Sequence, residues 1–204
     1  KNTHDAIEFI GQRLEYSFQK GKITENSKLQ VIKNIKPVHE LEELHKAKLI
    51  VEAVIEDLEI KQALLCMVES VLGAESILST NTSSLDLDKI GKKLKRPERF
   101  VGIHFFNPVP VMALVEIIHT AETDPSVIKF VSELVKKWGK IPVHVRNSPG
   151  FIVNRAARHF YGEALRILTD GTTDAATCDA ILRDCGGFRM GPFELMDLIG
   201  LDVN

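Results

Sequence analysis

Short apolar segments alternate with amphipathic ones between residues 48 and 145, and this alternation restricts the fold more than any other feature. The apolar segments have the length and composition of β-strands and lie at residues 48–55, 76–80, 100–106, 113–118 and 141–145. Helix patterns at residues 58–72 and 125–138, and a short one ending near residue 93, separate them. Because these strands carry few side chains suited to water, we expect a largely parallel sheet covered on both faces.

Helix patterns flank this region on both sides. Residues 3–19 carry apolar side chains on one helical face, and Thr24 is placed to cap a second helix that runs to about residue 32. Beyond the Pro-Gly break at residues 149–150 no strand pattern appears. Three further helices are predicted there, at residues 151–168, from a cap at Thr173 or Asp174 to residue 185, and at residues 193–199. We therefore expect an α/β region followed by an all-helical one.

The composition excludes several classes of partner. The chain is 44% hydrophobic and 26% charged with a net charge of −2, and it has no basic stripe, so nucleic acid is not expected as a partner. No long apolar span or signal-peptide pattern appears, so we expect no membrane association. Three widely separated cysteines fit no disulfide framework and no metal site, and they favour a cytoplasmic protein. Because the chain begins with Lys1 and a helical pattern, we expect it to be part of a longer polypeptide.

Polar residues lie at the carboxyl ends of three predicted strands. Glu56 follows the first strand, Ser83 follows the second, and His104 and Asn107 lie at the end of the third. Ligands of parallel sheets bind at this edge, so we expect the four residues to share a functional rim. Two other interpretations stay open. Ser83 could cap a helix at residues 84–91, and His104 could be a core histidine beside an Asn-Pro turn.

His104 is the candidate for proton transfer, because an unperturbed imidazole has a pKa of roughly 6.5. Glu116 lies inside an apolar segment, where an unpaired carboxylate is costly to bury. If the strand that contains Glu116 lies beside the strand that contains His104, we expect His104 to be the partner of Glu116. Otherwise, Glu116 is a solvent-facing residue of an edge strand. Asn154, four residues after Gly150, could point its amide into a cleft that faces His104, or be a surface residue or a late helix cap.

Five motifs, in this order and spacing, resemble those of the L-3-hydroxyacyl-CoA dehydrogenases, including the 3-hydroxybutyryl-CoA dehydrogenases. They are NTSSL at residues 81–85, HFFNPVPVM at 104–112, LVE at 114–116, PGFIVNR at 149–155 and MGPFEL at 190–195. The similarity covers about residues 49–204, and residues 20–24 look like the helical arm of bacterial members.

The resemblance implies an incomplete Rossmann-type fold. Residues 1–147 are expected to form a doubly wound, mostly parallel sheet, and residues 148–204 the start of an all-helical C-terminal domain. The G-x-G-x-x-G loop that opens such domains does not occur, so we expect the first strand, loop and helix to be missing. Relatives dimerise through the later helices, which implies a homodimer for the full-length protein.

The implied reaction is oxidation of (S)-3-hydroxyacyl-CoA to 3-oxoacyl-CoA, with hydride passing to NAD. By position, His104 would be the general base, and Glu116 would orient its ring and stabilise the imidazolium. Asn154 and Ser83 would hold the oxygens of the acyl-CoA substrate.

The NAD contacts are expected from Glu56, Lys61, Ser83 and Asn107, which match family positions. Phe105 and Phe106 are expected to be packing residues. Two alternatives remain: a related hydroxyacid or sugar-acid dehydrogenase of the same fold, and a non-catalytic scaffold module or fragment of a larger protein. A segment of a multifunctional fatty-acid oxidation protein is a third possible setting.

Overall fold

The computed structural model describes residues 3–200, which fall into two compact units. The first comprises residues 3–47 and 70–74, and the second comprises residues 48–69 and 75–200. The sheet, the helices that follow it and all candidate site residues belong to the second unit.

The first unit contains the predicted helix pair. Helix α1 spans Thr3–Gln19, helix α2 spans Glu25–Asn34, and a 3₁₀-helix covers Leu41–Lys46. Thr24 caps α2 as predicted, since its hydroxyl accepts a hydrogen bond from the Ser27 amide. An ion pair of 2.8 Å between Lys28 and Glu15 joins the two helices.

Five strands form the sheet of the second unit, in the order β1-β2-β3-β4-β5. They are β1 (Leu49–Glu52), β2 (Ile77–Thr80), β3 (Phe100–Phe105), β4 (Leu114–His119) and β5 (Ile141–Arg146). Three of the four pairings are parallel, and β3 with β4 is antiparallel. The predicted α/β class with a mostly parallel sheet is therefore confirmed.

The remaining helices follow the predicted pattern closely. They are α3 (Leu58–Val71), α4 (Leu87–Gly91), α5 (Pro125–Lys137), α6 (Val153–Thr169), α7 (Ala175–Asp184) and α8 (Pro192–Ile199), with a 3₁₀-turn at Pro97–Arg99. Asp174 rather than Thr173 caps α7, by accepting the Thr177 amide. No strand follows β5 in the described residues, so the predicted change to helical structure is also confirmed.

The core lies between one face of the sheet and helix α5. Its buried members are Ile77, Val101, Ile103, Val115, Ile117, Val127, Val131 and Val135. Because side chains alternate along a strand, Gly102 and His104 of β3 face the other side. Helix α4 packs so closely there that a Cβ on Gly102 would collide with Leu87 and Ile118. The turn before α4 leaves the sheet directly at the carboxyl end of β2.

Strand β1 is shorter than the predicted segment at residues 48–55. Its pairing with β2 ends at Glu52, opposite Thr80. The Glu52 carboxylate then accepts the Val54 amide at 2.6 Å, which turns the chain out of the sheet. The expectation that no strand has a wet face is also wrong for edge strand β5, where Ile141 is 59% exposed.

Helix α4 begins at Leu87 instead of residue 84. Asp86 is its cap, since its carboxylate accepts the Asp88 amide, and the interpretation of Ser83 as a helix cap is wrong. None of the helices in residues 3–200 is long and apolar enough to cross a membrane. Within the same residues, no cluster of His, Cys, Asp and Glu side chains is arranged to bind a metal ion.

Candidate active site

His104 and Glu116 face each other across the antiparallel strands β3 and β4. They are direct register partners, and His104 Nδ1 lies 2.7 Å from Glu116 Oε2. Glu116 is fully buried and His104 is 6% exposed. Strand β4 lies inside the sheet, so Glu116 is not a solvent-facing residue of an edge strand. The pairing leaves a histidine and an acid in direct contact at low exposure.

The second oxygen of Glu116 binds the beginning of helix α6. The backbone amides of Ile152 and Val153 donate to Oε1 at 2.8 and 3.0 Å. Burial raises the pKa of Glu116, but the hydrogen bonds from His104 and these amides outweigh it, so the pKa lies below its ordinary value. The group is therefore an ionised carboxylate at neutral pH. The two amides were not predicted from the sequence, although the Pro-Gly break before a helix indicates free N–H groups.

Two aromatic rings surround the imidazole. The ring of Phe106 lies 4.5 Å from that of His104, and the ring of Phe151 lies 5.7 Å away. Phe105 faces the opposite side, where it packs on the core and near Trp138. The two phenylalanines of the HFFNP motif therefore differ, because only Phe106 touches the histidine.

Glu56 organises the turn between β2 and α4. Its Oε1 accepts the amides of Ser83 at 3.0 Å and Ser84 at 3.2 Å, and the hydroxyls of Thr82 and Ser84. These hydrogen bonds outweigh the effect of burial, so the pKa of Glu56 is lowered. Glu56 and Ser83 are thus neighbours at the rim. The hydrogen bonds of Thr82 and Ser84 to Glu56 were not predicted from the sequence.

Lys61 lies behind Glu56 and is almost completely buried, with 1% exposure. Its ammonium contacts Glu52 Oε1 at 2.8 Å, Glu56 Oε2 at 3.3 Å and the Val54 carbonyl at 3.2 Å. The other oxygen of Glu52 accepts the Thr80 hydroxyl at 2.6 Å. Glu52 was not predicted as part of the site, although it is an acid inside an apolar segment, the same pattern that indicated Glu116.

Asn154 is joined to the rim, and Asn107 is less constrained. The Asn154 amide donates to the Ser83 carbonyl at 3.2 Å. Asn107 follows β3 in an exposed loop, with a cis peptide to Pro108. Within residues 3–200 it makes no hydrogen bond to the other predicted site residues. The structure thus brings together His104 with Glu116, and Glu56 with Ser83, Lys61 and Asn154.

A mostly parallel sheet with a polar rim at its carboxyl ends is typical of nucleotide-binding α/β proteins. Residues 1–148 match the family model of the 3-hydroxyacyl-CoA dehydrogenase NAD binding domain, and residues 150–204 match that of the 3-hydroxyacyl-CoA dehydrogenase C-terminal domain. The chain belongs to the 3-hydroxyacyl-CoA dehydrogenase family, which confirms the resemblance seen in its motifs. NAD is the cofactor of the domain that the first model describes.

Relatives with established names agree with this assignment. The chain is 44% identical to 3-hydroxyadipyl-CoA dehydrogenase of Escherichia coli K12 and 39% identical to 3-hydroxybutyryl-CoA dehydrogenase of Clostridioides difficile. These alignments cover 98% and 97% of the chain, and 42% and 70% of the relatives. The crystal structure of 3-hydroxybutyryl-CoA dehydrogenase from E. coli K12 MG1655 superposes with a TM-score of 0.97 at 44% identity, over 98% of this chain and 43% of that one. The chain therefore spans less than half of the E. coli relatives.

Proposed function

We propose that the protein containing this chain is an NAD-dependent dehydrogenase that oxidises (S)-3-hydroxyacyl-CoA to 3-oxoacyl-CoA. Family membership and the names of the relatives support the reaction class. The single observation that carries the mechanism is the contact of 2.7 Å between His104 and Glu116. It supplies an oriented acid–base group in a chain of the right family.

His104 acts as the general base through its Nε2 atom. Glu116 is ionised and can only accept hydrogen bonds, so the proton of the neutral ring lies on Nδ1 and Nε2 carries the free electron pair. Within residues 3–200 no hydrogen bond engages Nε2. His104 takes the proton of the 3-hydroxyl group there, and Glu116 stabilises the resulting imidazolium. Positioned acid–base catalysis of this kind contributes roughly 10²–10⁴ in rate.

The residues at the carboxyl ends of β1–β3 fit a dinucleotide. Glu56 is 37% exposed at its side chain, and Ser83 and Asn107 are exposed, so all three offer polar atoms to a ligand. These residues would hold NAD, which would supply the acceptor for the hydride from C3 of the substrate. Lys61, with its ammonium buried, supports the cofactor site by holding Glu56 in place.

Ser83 and Asn154 hold the oxygens of the acyl-CoA. Their contact at 3.2 Å joins the turn before α4 to the first turn of α6, so both polar groups lie next to the proposed cofactor site.

The proposal includes the domain division at residues 147 and 148, a homodimer formed through the C-terminal helical domain, and a cytoplasmic location. Light scattering of the full-length protein tests the dimer.

The test of function uses the full-length protein and the absorbance of NADH, with 3-hydroxybutyryl-CoA and 3-hydroxyadipyl-CoA as substrates. We expect the wild-type protein to form NADH and the His104→Gln variant to lose about 10²-fold or more in kcat, because the amide of glutamine cannot take the proton. The matched control is His39→Gln, since the imidazole of His39 is exposed and only its backbone amide donates a hydrogen bond, to Glu43.

Turnover of His104→Gln equal to that of the control would exclude His104 as the base. A wild-type protein that binds NAD but oxidises no 3-hydroxyacyl-CoA would favour the scaffold alternative. Faster oxidation of a free hydroxyacid than of its CoA thioester would favour a related hydroxyacid dehydrogenase.

A further inference from the structure

The chain enters helix α6 through two successive residues in the left-handed backbone region. Gly150 has φ of 74° and Phe151 has φ of 48°. Among the described residues Phe151 is the one non-glycine residue with positive φ, a conformation that L side chains rarely adopt. Such a conformation persists where the surrounding contacts require it. We name Gly150 and Phe151 the elbow.

The elbow determines where the next two amides point. Directly after it, the N–H groups of Ile152 and Val153 both donate to Oε1 of Glu116. Phe151 is buried, with its ring 5.7 Å from the imidazole of His104. A Cβ on Gly150 would lie 3.3 Å from the Arg155 backbone nitrogen, so the elbow is tightly packed on both sides.

We propose that the elbow is a positioning element that holds one oxygen of Glu116 through the Ile152 and Val153 amides and so keeps the other oxygen on Nδ1 of His104. Two amide donors hold one oxygen of residue 116, which leaves the other oxygen as the acceptor for the imidazole. The ring must then carry its proton on Nδ1 and present a bare Nε2 to the substrate. This inference rests on the proposed function, because the tautomer matters only if Nε2 is the base.

The elbow makes the effect of an amide at position 116 predictable. The side-chain amide of glutamine has one acceptor oxygen and one NH₂ donor. At position 116 one end of that amide would face the N–H groups of Ile152 and Val153, and the other end would face the imidazole of His104. The two backbone amides select the glutamine oxygen, so the NH₂ group faces His104. Nδ1 must then accept a hydrogen bond, and the ring proton moves to Nε2.

The first test reads the tautomer by ¹⁵N NMR of the imidazole in the full-length protein. The His104 signals are assigned by their loss in His104→Gln. We expect the Nδ1–H form in wild type and the Nε2–H form in Glu116→Gln. A Glu116→Gln protein that keeps the Nδ1–H form overturns the inference. This readout needs no turnover, so it can fail while His104 remains essential, or succeed while His104 proves dispensable.

The second test perturbs the elbow itself. Gly150→Ala should lower kcat by about 10- to 100-fold with little change in KM, because small misplacements of catalytic groups cost this much. Gly150→Asn should lose less of kcat than Gly150→Ala, since asparagine tolerates the left-handed region, although its Cβ meets the same Arg155 backbone nitrogen. The control is Gly171→Ala, which has a similar φ of 66° and open space around it, far along the chain from Glu116. Equal values of kcat for Gly150→Ala and Gly171→Ala overturn the inference.

Discussion

At the residue scale, Glu52 and Glu116 are both buried carboxylates, and in both the cost of burial is offset by hydrogen bonds or ion pairs. Each acid interrupts an apolar strand, and each binds partners through both carboxylate oxygens. The cost of burying an unpaired carboxylate led from the sequence to Glu116 and His104. The same reasoning applied to Glu52 would have led to a buried cation, and Lys61 is nine residues away. An acidic residue inside an apolar strand segment therefore indicates that a cationic or hydrogen-bonding partner lies near it in the fold.

Lys61 should be important for stability because it neutralises Glu52 where both side chains are 1% exposed. Lys61→Met leaves that carboxylate buried without its cation, and we expect the free energy of unfolding to fall by about 3–5 kcal/mol. Urea denaturation measures the change. Lys28→Met is the control, and its loss should be clearly smaller because its partner Glu15 is 45% exposed.

The double variant Glu52→Gln with Lys61→Met separates the charge from the packing. Removing both charges should recover part of the stability that Lys61→Met loses. If Lys61→Met loses no more stability than Lys28→Met, Lys61 is not the essential counterion of Glu52.

At the element scale, the sequence predicts helices best where their caps are local. Thr24 accepts an amide of the helix that it was expected to start, and so does Asp174, one of the two candidates for the start of α7. The predicted start of α4 was wrong because residues 81–86 include several side chains that could cap a helix. Glu56, which is distant in sequence, binds the Ser83 and Ser84 amides, and Asp86 is left to cap the helix.

Two other features depend on tertiary contacts that a single sequence does not display. Strand β1 ends where its partner β2 ends, although the apolar pattern continues to residue 55. The elbow depends on the backbone angle of Phe151, and nothing in that residue type favours a positive φ. The sequence therefore predicts which residues come together at the site better than it predicts the backbone conformation that orients them.

The start of helix α8 provides an element-scale prediction. Asp179 of α7 is buried and accepts the amides of Phe193 and Glu194 at 2.9 and 3.1 Å. Helix α7 packs so closely that a Cβ on Gly191 would overlap the backbone and side chain of Asp179. Gly191→Ala should therefore lower the free energy of unfolding by about 1–3 kcal/mol. Thermal or urea unfolding of the full-length protein measures it.

Gly162 provides the opposite case within helix α6. It lies in the middle of the helix, and a Cβ there meets no atom within 4 Å. Gly162→Ala should raise stability by about 0.5–1 kcal/mol, since alanine is the better helix former. A neutral Gly191→Ala would contradict the close packing of α7 against residue 191, and a destabilising Gly162→Ala would contradict the open space around residue 162.

At the scale of the whole molecule, buried carboxylates make stability depend on pH. The folded pKa of Glu116 lies below its ordinary value of 4.5. The unfolded chain therefore takes up this proton at a higher pH than the folded chain does. Glu116 stabilises the fold fully above about pH 4.5, and its contribution is lost as the pH falls through the folded pKa. Glu56 contributes in the same direction.

Glu116→Gln should flatten the acid branch of the stability curve. Below about pH 4.5 the free energy of unfolding of this variant should fall less steeply with pH than that of wild type. Urea unfolding at a series of pH values gives the slope. Glu133→Gln, at an exposed position of α5, is the control and should leave the slope unchanged. Identical slopes for Glu116→Gln and wild type would show that Glu116 does not release its proton as inferred.

The antiparallel pairing of β3 with β4 determines how well the contact between His104 and Glu116 tolerates changes in the chain. His104 and Glu116 are opposite each other across neighbouring strands, joined by one loop at residues 106–113. Insertions in that loop leave the two side chains facing each other as long as the strand register is kept. A slip by one residue would turn one of them to the opposite face. One continuous hairpin therefore carries both members of this contact, and the strand register is enough to keep His104 and Glu116 opposite each other.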